Sequence, residues 1–438
     1  MLSTTTSTPQ QTVAAPFQDL VEESFDEAVF LCRRWEHELT SLTRNLGEVW
    51  SWTEDRLHGA LDGVRVGGAG AIELAKTAVQ ADEIDRITVA TAVLGSSIEQ
   101  SAIEIVTTAL TDAKGEKLSA MLRGLELLGS DQALRATASV LTSPDPLLAA
   151  ALCRLKAFRR VAPGDELATA FTSKNPAAQL DAIRAARLIT SGAADEWIAS
   201  ALQSEDAAVR YAGVESGVCL RMSQAWDAAT RFAGQRDPMA GPYLNLLALF
   251  GAAAEHEVVF NALRIPGLQP AAIWAIGHIG NVRAAEACIA GMQHEPVARA
   301  CGEAYCWMTG ADLVRDRLAV EETPADAPAF EDDDLDANLV PAPEALWPQP
   351  NPDAVRKHWL KQGTDWGAGV RHVRGKPVTG DILLDAIETG PMLRRPDLVL
   401  ELRVKTRGRY DVETRAFTPR QRQMMVAGRS SVSGQSGR

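Results

Sequence analysis

Val21, Phe25, Ala28, Cys32, Trp35 and Leu39 follow one another at three- and four-residue steps, the spacing that places side chains on one face of an α-helix. Helical periodicity then continues to about Arg317, and the alternation expected of strands is almost absent. Apolar stretches end at Gly95 (ITVATAVLG), Gly129 (LRGLELLG), Gly192 (AIRAARLITSG), Gly251 (LNLLALFG), Gly280 (AAIWAIGHIG) and Gly310 (EAYCWMTG). Two further slots in this register fall near Val161 and Met222, so the chain repeats at roughly thirty residues.

The repeats share a grammar. DPLLAAAL, NPAAQLDA, EDAAVRYA, DPMAGPYL and EPVARACG each open with an acidic residue or Asn followed by Pro, or by an acidic residue and Ala. This is N-cap chemistry with proline at the first helical position, where its missing N–H costs nothing. Glycine at the far end suits a left-handed closing residue. A second helix follows in ADEWIASALQS, SQAWDAATRFAG, EHEVVFNALRI and NVRAAEACIAG. Two short helices cannot bury their apolar faces alone, so the repeats must stack around a shared core. The predicted fold class is therefore all-α, an α-solenoid of helix pairs.

The pattern predicts a disordered tail over residues 1–16 and a solenoid over 17–318. An acidic, Pro-rich linker follows over 319–352, then a C-terminal helical cap over 353–425 and a disordered tail over 426–438. Within the cap, NPDAVRKHWLKQG, VTGDILLDAIETG and RPDLVLELRVKT read as helices. The last fifty residues are basic and the linker is acidic, so the two parts are expected to dock by complementary charge and close the C-terminal end of the solenoid.

Composition narrows the function. The 438 residues are 46% apolar, and 44 basic against 57 acidic side chains give a net charge of −13, which disfavours nucleic acid as a partner. The start, MLSTTTSTPQQTVAAPF, lacks the basic and apolar parts of a signal peptide, and no apolar run is long enough to cross a bilayer. A cytoplasmic location is expected. Cys32, Cys153, Cys219, Cys288, Cys301 and Cys306 lie in helical segments without CxxC spacing, which fits reduced, buried thiols.

Candidate chemistry is sparse. GVRVGGAGAIELAK, from Gly63, is glycine-rich but follows a helix where a dinucleotide loop would follow a strand. His37 and Glu38 begin a zinc-protease helix pattern, but Ser41 stands where the second His belongs. His278, Cys288, His294, Cys301 and Cys306 match no metal spacing, and Asp332, Asp333, Asp334 and Asp336 lack the glycine and closing Glu of a calcium loop. Arg394, Arg395, Arg403, Lys405, Arg407, Arg409, Arg415, Arg420 and Arg422 form a basic region with Tyr410 and Phe417 interleaved; internal docking is the expected role. No catalytic residue, cofactor or metal is assigned. Trp347, Trp359 and Trp366 are expected to pin the C-terminal unit onto the solenoid.

The grammar resembles HEAT-type repeats, whose stacked helix pairs form curved binding surfaces. FDEAVFLCRRW, LDGVRVGG, EDDDLDANLVPAPEALWPQPNPDAV, GKPVTGDILLDAIETGPMLRRPDLVLELRV and ETRAFTPRQ further resemble a proteobacterial HEAT-repeat family found beside type VI secretion genes. That resemblance implies cytoplasm and work on a secretion component or its cargo. It implies no catalytic residue and no cofactor.

The expected function is a non-catalytic protein-binding scaffold, an adaptor or chaperone for a type VI secretion effector or structural component. The expected contact surface is on the second helices, through Trp197, Trp226, Arg231, Arg264 and Arg283. Two alternatives stand beside it: an immunity protein that wraps a cognate toxin, and a HEAT-like enzyme such as a lyase.

Overall fold

A computed structural model describes residues 16–189, 192–321, 346–362, 366–367 and 369–433. Asp332, Asp333, Asp334, Asp336, most of the expected linker and almost all of the expected N-terminal tail lie outside the described residues. The fold is an all-α helical repeat whose chain divides into two compact units, one built from the residues up to His37 with Val49–Thr142, the other from Glu38–Glu48 with Ser143 onward.

The first unit contains α1 (Pro16–Glu38), α3 (Asp55–Val66), α4 (Ala69–Gln80), α5 (Ile84–Ser96), α6 (Gln100–Asp112), α7 (Gly115–Leu128) and α8 (Asp131–Leu141), while α2 (Leu46–Val49) falls at the boundary with the second. Helices α5 and α7 pack on each other, as do α6 and α8, the arrangement of two stacked pairs. Phe25, Ala28, Leu31 and Trp35 of α1 are wholly buried, as their spacing requires. A π-helical turn, Trp50–Glu54, precedes α3 and buries Glu54, whose carboxylate accepts the Trp35 indole N–H at 2.8 Å.

The second unit contains helix pairs α9 (Pro146–Phe158) and α10 (Glu166–Phe171), α11 (Pro176–Ala186) and α12 (Asp195–Ala201), α13 (Ala207–Cys219) and α14 (Ser223–Ala233). The pairs continue as α15 (Gly241–Phe250) with α16 (Ala253–Ala262), and α17 (Gln269–Ile279) with α18 (Val282–Gly291), before α19 (Glu295–Thr309). First helices α9, α11 and α13 pack in succession, and α15, α17 and α19 do the same. The predicted caps form at four of five openings: Asp145, Asn175, Asp206 and Asp237 each accept a backbone N–H of the first turn, whereas α19 starts at Glu295 with no side-chain cap. Small residues allow the close packing. A Cβ on Gly217 would lie 2.4 Å from the Cβ of Ala225, so α13 and α14 meet at a distance only glycine permits.

The helix-closing expectation needs correcting. Gly280 and Gly310 close α17 and α19 in the left-handed conformation, at φ of 60° and 73°. Gly251 does not, with φ of −78°. It is glycine because a Cβ there would meet the Leu247 carbonyl at 2.4 Å and the Glu255 Cβ at 2.5 Å. At the two slots that lack glycine, Arg160 and Arg221 take the left-handed role, at φ of 59° and 61°. Each is followed by the six-residue return bond of a Schellman closure, Val161 N–H to the Lys156 carbonyl and Met222 N–H to that of Gly217, both at 2.9 Å.

The C-terminal region belongs to this second unit. It comprises α20 (Pro352–Gln362), strands β1 (His372–Val373) and β2 (Lys376–Pro377), α21 (Gly380–Thr389), α22 (Arg395–Thr406) and α23 (Thr418–Ser433). The predicted helices are present, with two differences. A hairpin forms where Arg374 and Gly375 both take positive φ, 52° and 77°, as a two-residue primed turn demands. Residues 426–433, expected as tail, continue α23.

Candidate functional site

The C-terminal region does not merely close the end of the repeats. It runs back along them, and every first helix from α9 to α19 gives it a polar contact from its middle, its C-terminal half or the residues that follow. Arg160, after α9, pairs with Asp411 and Glu413, each at 3.0 Å. The carbonyl of Arg187, after α11, accepts from Arg403 at 2.8 Å, and Arg221, after α13, donates to the Val404 carbonyl at 3.2 Å. Asn245 of α15 donates to Asp397 Oδ1 at 2.8 Å, while Trp274 Nε1 and His278 Nε2 of α17 both meet Asp397 Oδ2, at 2.9 and 3.0 Å. Beyond α17 the Gly280 carbonyl accepts the His372 N–H at 2.8 Å, and at α19 the Trp307 and Met308 carbonyls accept those of Arg374 and Gly375 at the same distance.

Asp397 lies in the middle of this row. Burial works to raise its pKa, but the hydrogen bonds from His278 and Trp274 and the charge of Arg394 outweigh it and hold the carboxyl below its ordinary range. His278 has no exposed surface, and burial holds its imidazole below the usual value although Asp397 acts in the opposite direction. Its Nδ1 is buried without a hydrogen-bond partner. The ring also meets Trp274 and Trp307 edge-on, with centroids 6.1 and 6.4 Å away.

Arg394 sits beside this carboxylate and is wholly buried. Its guanidinium lies 3.4 Å over the Trp274 ring and makes a two-bond pair with Glu303, at 3.0 and 2.5 Å. Gly277 leaves room for it, since a Cβ there would stand 3.0 Å from Nη2. Further along, Glu401 is held by Arg371 at 2.5 and 2.9 Å and by Lys405 at 2.6 Å. Residues ahead of α2 complete the enclosure: the carbonyls of Ser41 and Arg44 accept the N–H groups of Leu393 and Met392 at 3.0 and 2.8 Å.

Two cavities flank the row. One, of about 150 Å³, is polar and includes Arg160, Arg187, Tyr211, Asp397 and Arg403. The other, of about 460 Å³, lies beside α19 between Leu42, Trp307, Leu313, Trp347 and Arg374.

Four of the expected contact residues lie on second helices and Arg264 just after one. Trp197 of α12 is half-buried and stacked on Phe171 with centroids 5.5 Å apart; Trp226 of α14 is half-buried against the core. Arg283 of α18 lies over Phe260 and pairs with Glu257. Arg231, at the end of α14, and Arg264, after α16, are exposed. The basic region contacts the repeats and its own neighbouring helices, with Arg395 bonded to the Ile387 carbonyl and Gln421 at 2.6 and 2.7 Å, while most of the acidic linker it was expected to meet lies outside the described residues. Trp359 packs on Tyr305 and Trp366, and Trp366 stacks on His372, consistent with a pinning role for this pair.

The sequence reading missed the row. Asn245 and His278 stand within the apolar stretches of α15 and α17, and that is the signal that could have marked it. The thiols are chemically quiet, since burial pushes Cys32, Cys153 and Cys301 up to about 12. Among the described residues no helix is long and apolar enough to cross a membrane, and no three His, Cys, Asp or Glu side chains gather to hold a metal.

No model of a protein family matches the chain, and no curated protein does. Among solved structures, an engineered protein of the Northeast Structural Genomics Consortium aligns over 90% of this chain and 97% of its own at 13% identity. Its TM-score is 0.29, so it carries no argument about fold or function.

Proposed function

We propose that this chain is a non-catalytic protein-binding scaffold that works as an adaptor or chaperone for a type VI secretion effector or component. The observation that carries this reading is the engagement of the first-helix row, from Arg160 to Met308, by the chain's own C-terminal region. The second helices are the row left to receive a partner. On them Trp197 and Trp226 serve mainly packing, and Arg283 already has a carboxylate partner, so contact falls to Arg231, Arg264 and the side chains between them. The secretion setting rests on the sequence resemblance alone.

The test is affinity capture of the tagged protein from its native host during active secretion. Stoichiometric recovery of an effector, spike or sheath subunit supports the reading. Substituting Arg231→Glu with Arg264→Glu is expected to lower that recovery at least tenfold without moving Tm. Unchanged recovery would reject this face, and no recovered protein at all would reject the scaffold role.

A further inference from the structure

The described contacts of the C-terminal region include three histidines in enclosed settings, and each faces a repeat or its neighbour. His278 of α17 meets Asp397, with Trp274 beside it on its own helix, Glu303 and Trp307 on α19, and Arg394 and Arg371 from the C-terminal region. His372 lies 3.8 Å from Trp366, ring on ring, while its backbone N–H bonds Gly280 and its Nδ1 approaches the Val370 carbonyl at 3.1 Å. His358 of α20 meets the Tyr305 hydroxyl of α19 at 2.8 Å, with Asp316 and Lys361 nearby.

We propose that this region is an acid-released latch: protonation of His278 detaches the segment from Pro391 to Val412 from the first helices. The geometry of His278 gives the reason. A neutral ring needs one acceptor, which Asp397 supplies at Nε2. A charged ring carries a second N–H at Nδ1, which is buried without an acceptor, and brings a third cation beside Arg394 and Arg371. Undocking the segment returns both nitrogens to water.

The sign follows from linkage. Burial lowers the His278 imidazole from 6.5, so the unfolded or undocked state binds the proton first as the pH falls. Docking is therefore at full strength above about pH 6.5 and weakens below it, by up to about tenfold per pH unit until the docked value of His278 is passed. Asp397 and Glu401 are held below their ordinary ranges and keep their charge through this interval.

Hydrogen exchange of the full chain tests the proposal, with rates corrected for intrinsic pH dependence. Peptides within 391–412 should lose at least tenfold protection between pH 7.5 and pH 5.5, while those of α5 and α7 keep theirs. Equal protection of 391–412 at the two pH values would overturn the latch. His278→Gln keeps a donor to Asp397 without a titrating ring, and should hold most of the protection at pH 5.5. A folded variant that still loses it as the wild type does would overturn the assignment to His278. If that variant fails to fold, the wild-type comparison still decides the proposal.

Discussion

Asp397 Oδ2 stands 3.0 Å from Nε2 of His278, a ring with no exposed surface and 119 residues distant in sequence. The same carboxylate takes hydrogen bonds from Asn245 and Trp274, so one side chain joins α15 and α17 to α22. Removing it strands three donors, one wholly buried and two half-buried. Asp397→Ala is expected to lower unfolding stability by about 3 kcal/mol, while Asp397→Asn, which keeps an acceptor, should cost roughly half as much. Urea denaturation of the full chain, followed by far-UV circular dichroism, measures both; equal effects would deny the carboxylate its joining role.

Gly280 offers a test of how the hairpin docks. Its φ of 60° disfavours any side chain, and a Cβ would sit 2.4 Å from the His372 carbonyl oxygen. Gly408 has φ of 77° but open space around its missing Cβ. Gly408→Ala should therefore cost about 1 kcal/mol of backbone strain, and Gly280→Ala roughly 2–4 kcal/mol, because strain and overlap add. Thermal unfolding should show the larger drop in Tm for Gly280→Ala; a smaller one would mean that β1 shifts away without loss.

Glu401 predicts the behaviour at strong acid. Its complete burial would raise the pKa, but Arg371 and then Lys405 override this and bring it from 4.5 down to about 2. A depressed carboxylate stabilises the fold above its unfolded value and loses that contribution as the pH falls toward the folded one. Stability attributable to this pair should be complete above pH 4.5 and decline by roughly 3 kcal/mol toward pH 2. Denaturant titrations across that range should be flatter in Glu401→Gln, and parallel profiles would remove Glu401 from the account of acid unfolding.

Much of the architecture is legible from local pattern. Asp145-Pro146, Asn175-Pro176 and Asp206-Ala207 announce helix starts because the cap and the first turn are neighbours in sequence. The roughly thirty-residue register located the slots near Val161 and Met222, and arginines fill the left-handed positions one residue earlier. That residue choice was not legible. A non-glycine left-handed residue is selected by what its side chain reaches, and Arg160 reaches Glu413, 253 residues away.

The sequence by itself determined the helices, their pairing and the need to stack, because apolar spacing and capping act within a few residues. Only the tertiary structure decided where the C-terminal region lies and which polar groups meet. Asn245, Trp274 and His278 are polar groups within apolar stretches of α15 and α17, and Glu303 is one of several charged residues on α19, each uninformative alone. They become a site when packing brings Asp397 and Arg394 among them, since a buried donor or acceptor must find its partner wherever in the chain that partner is.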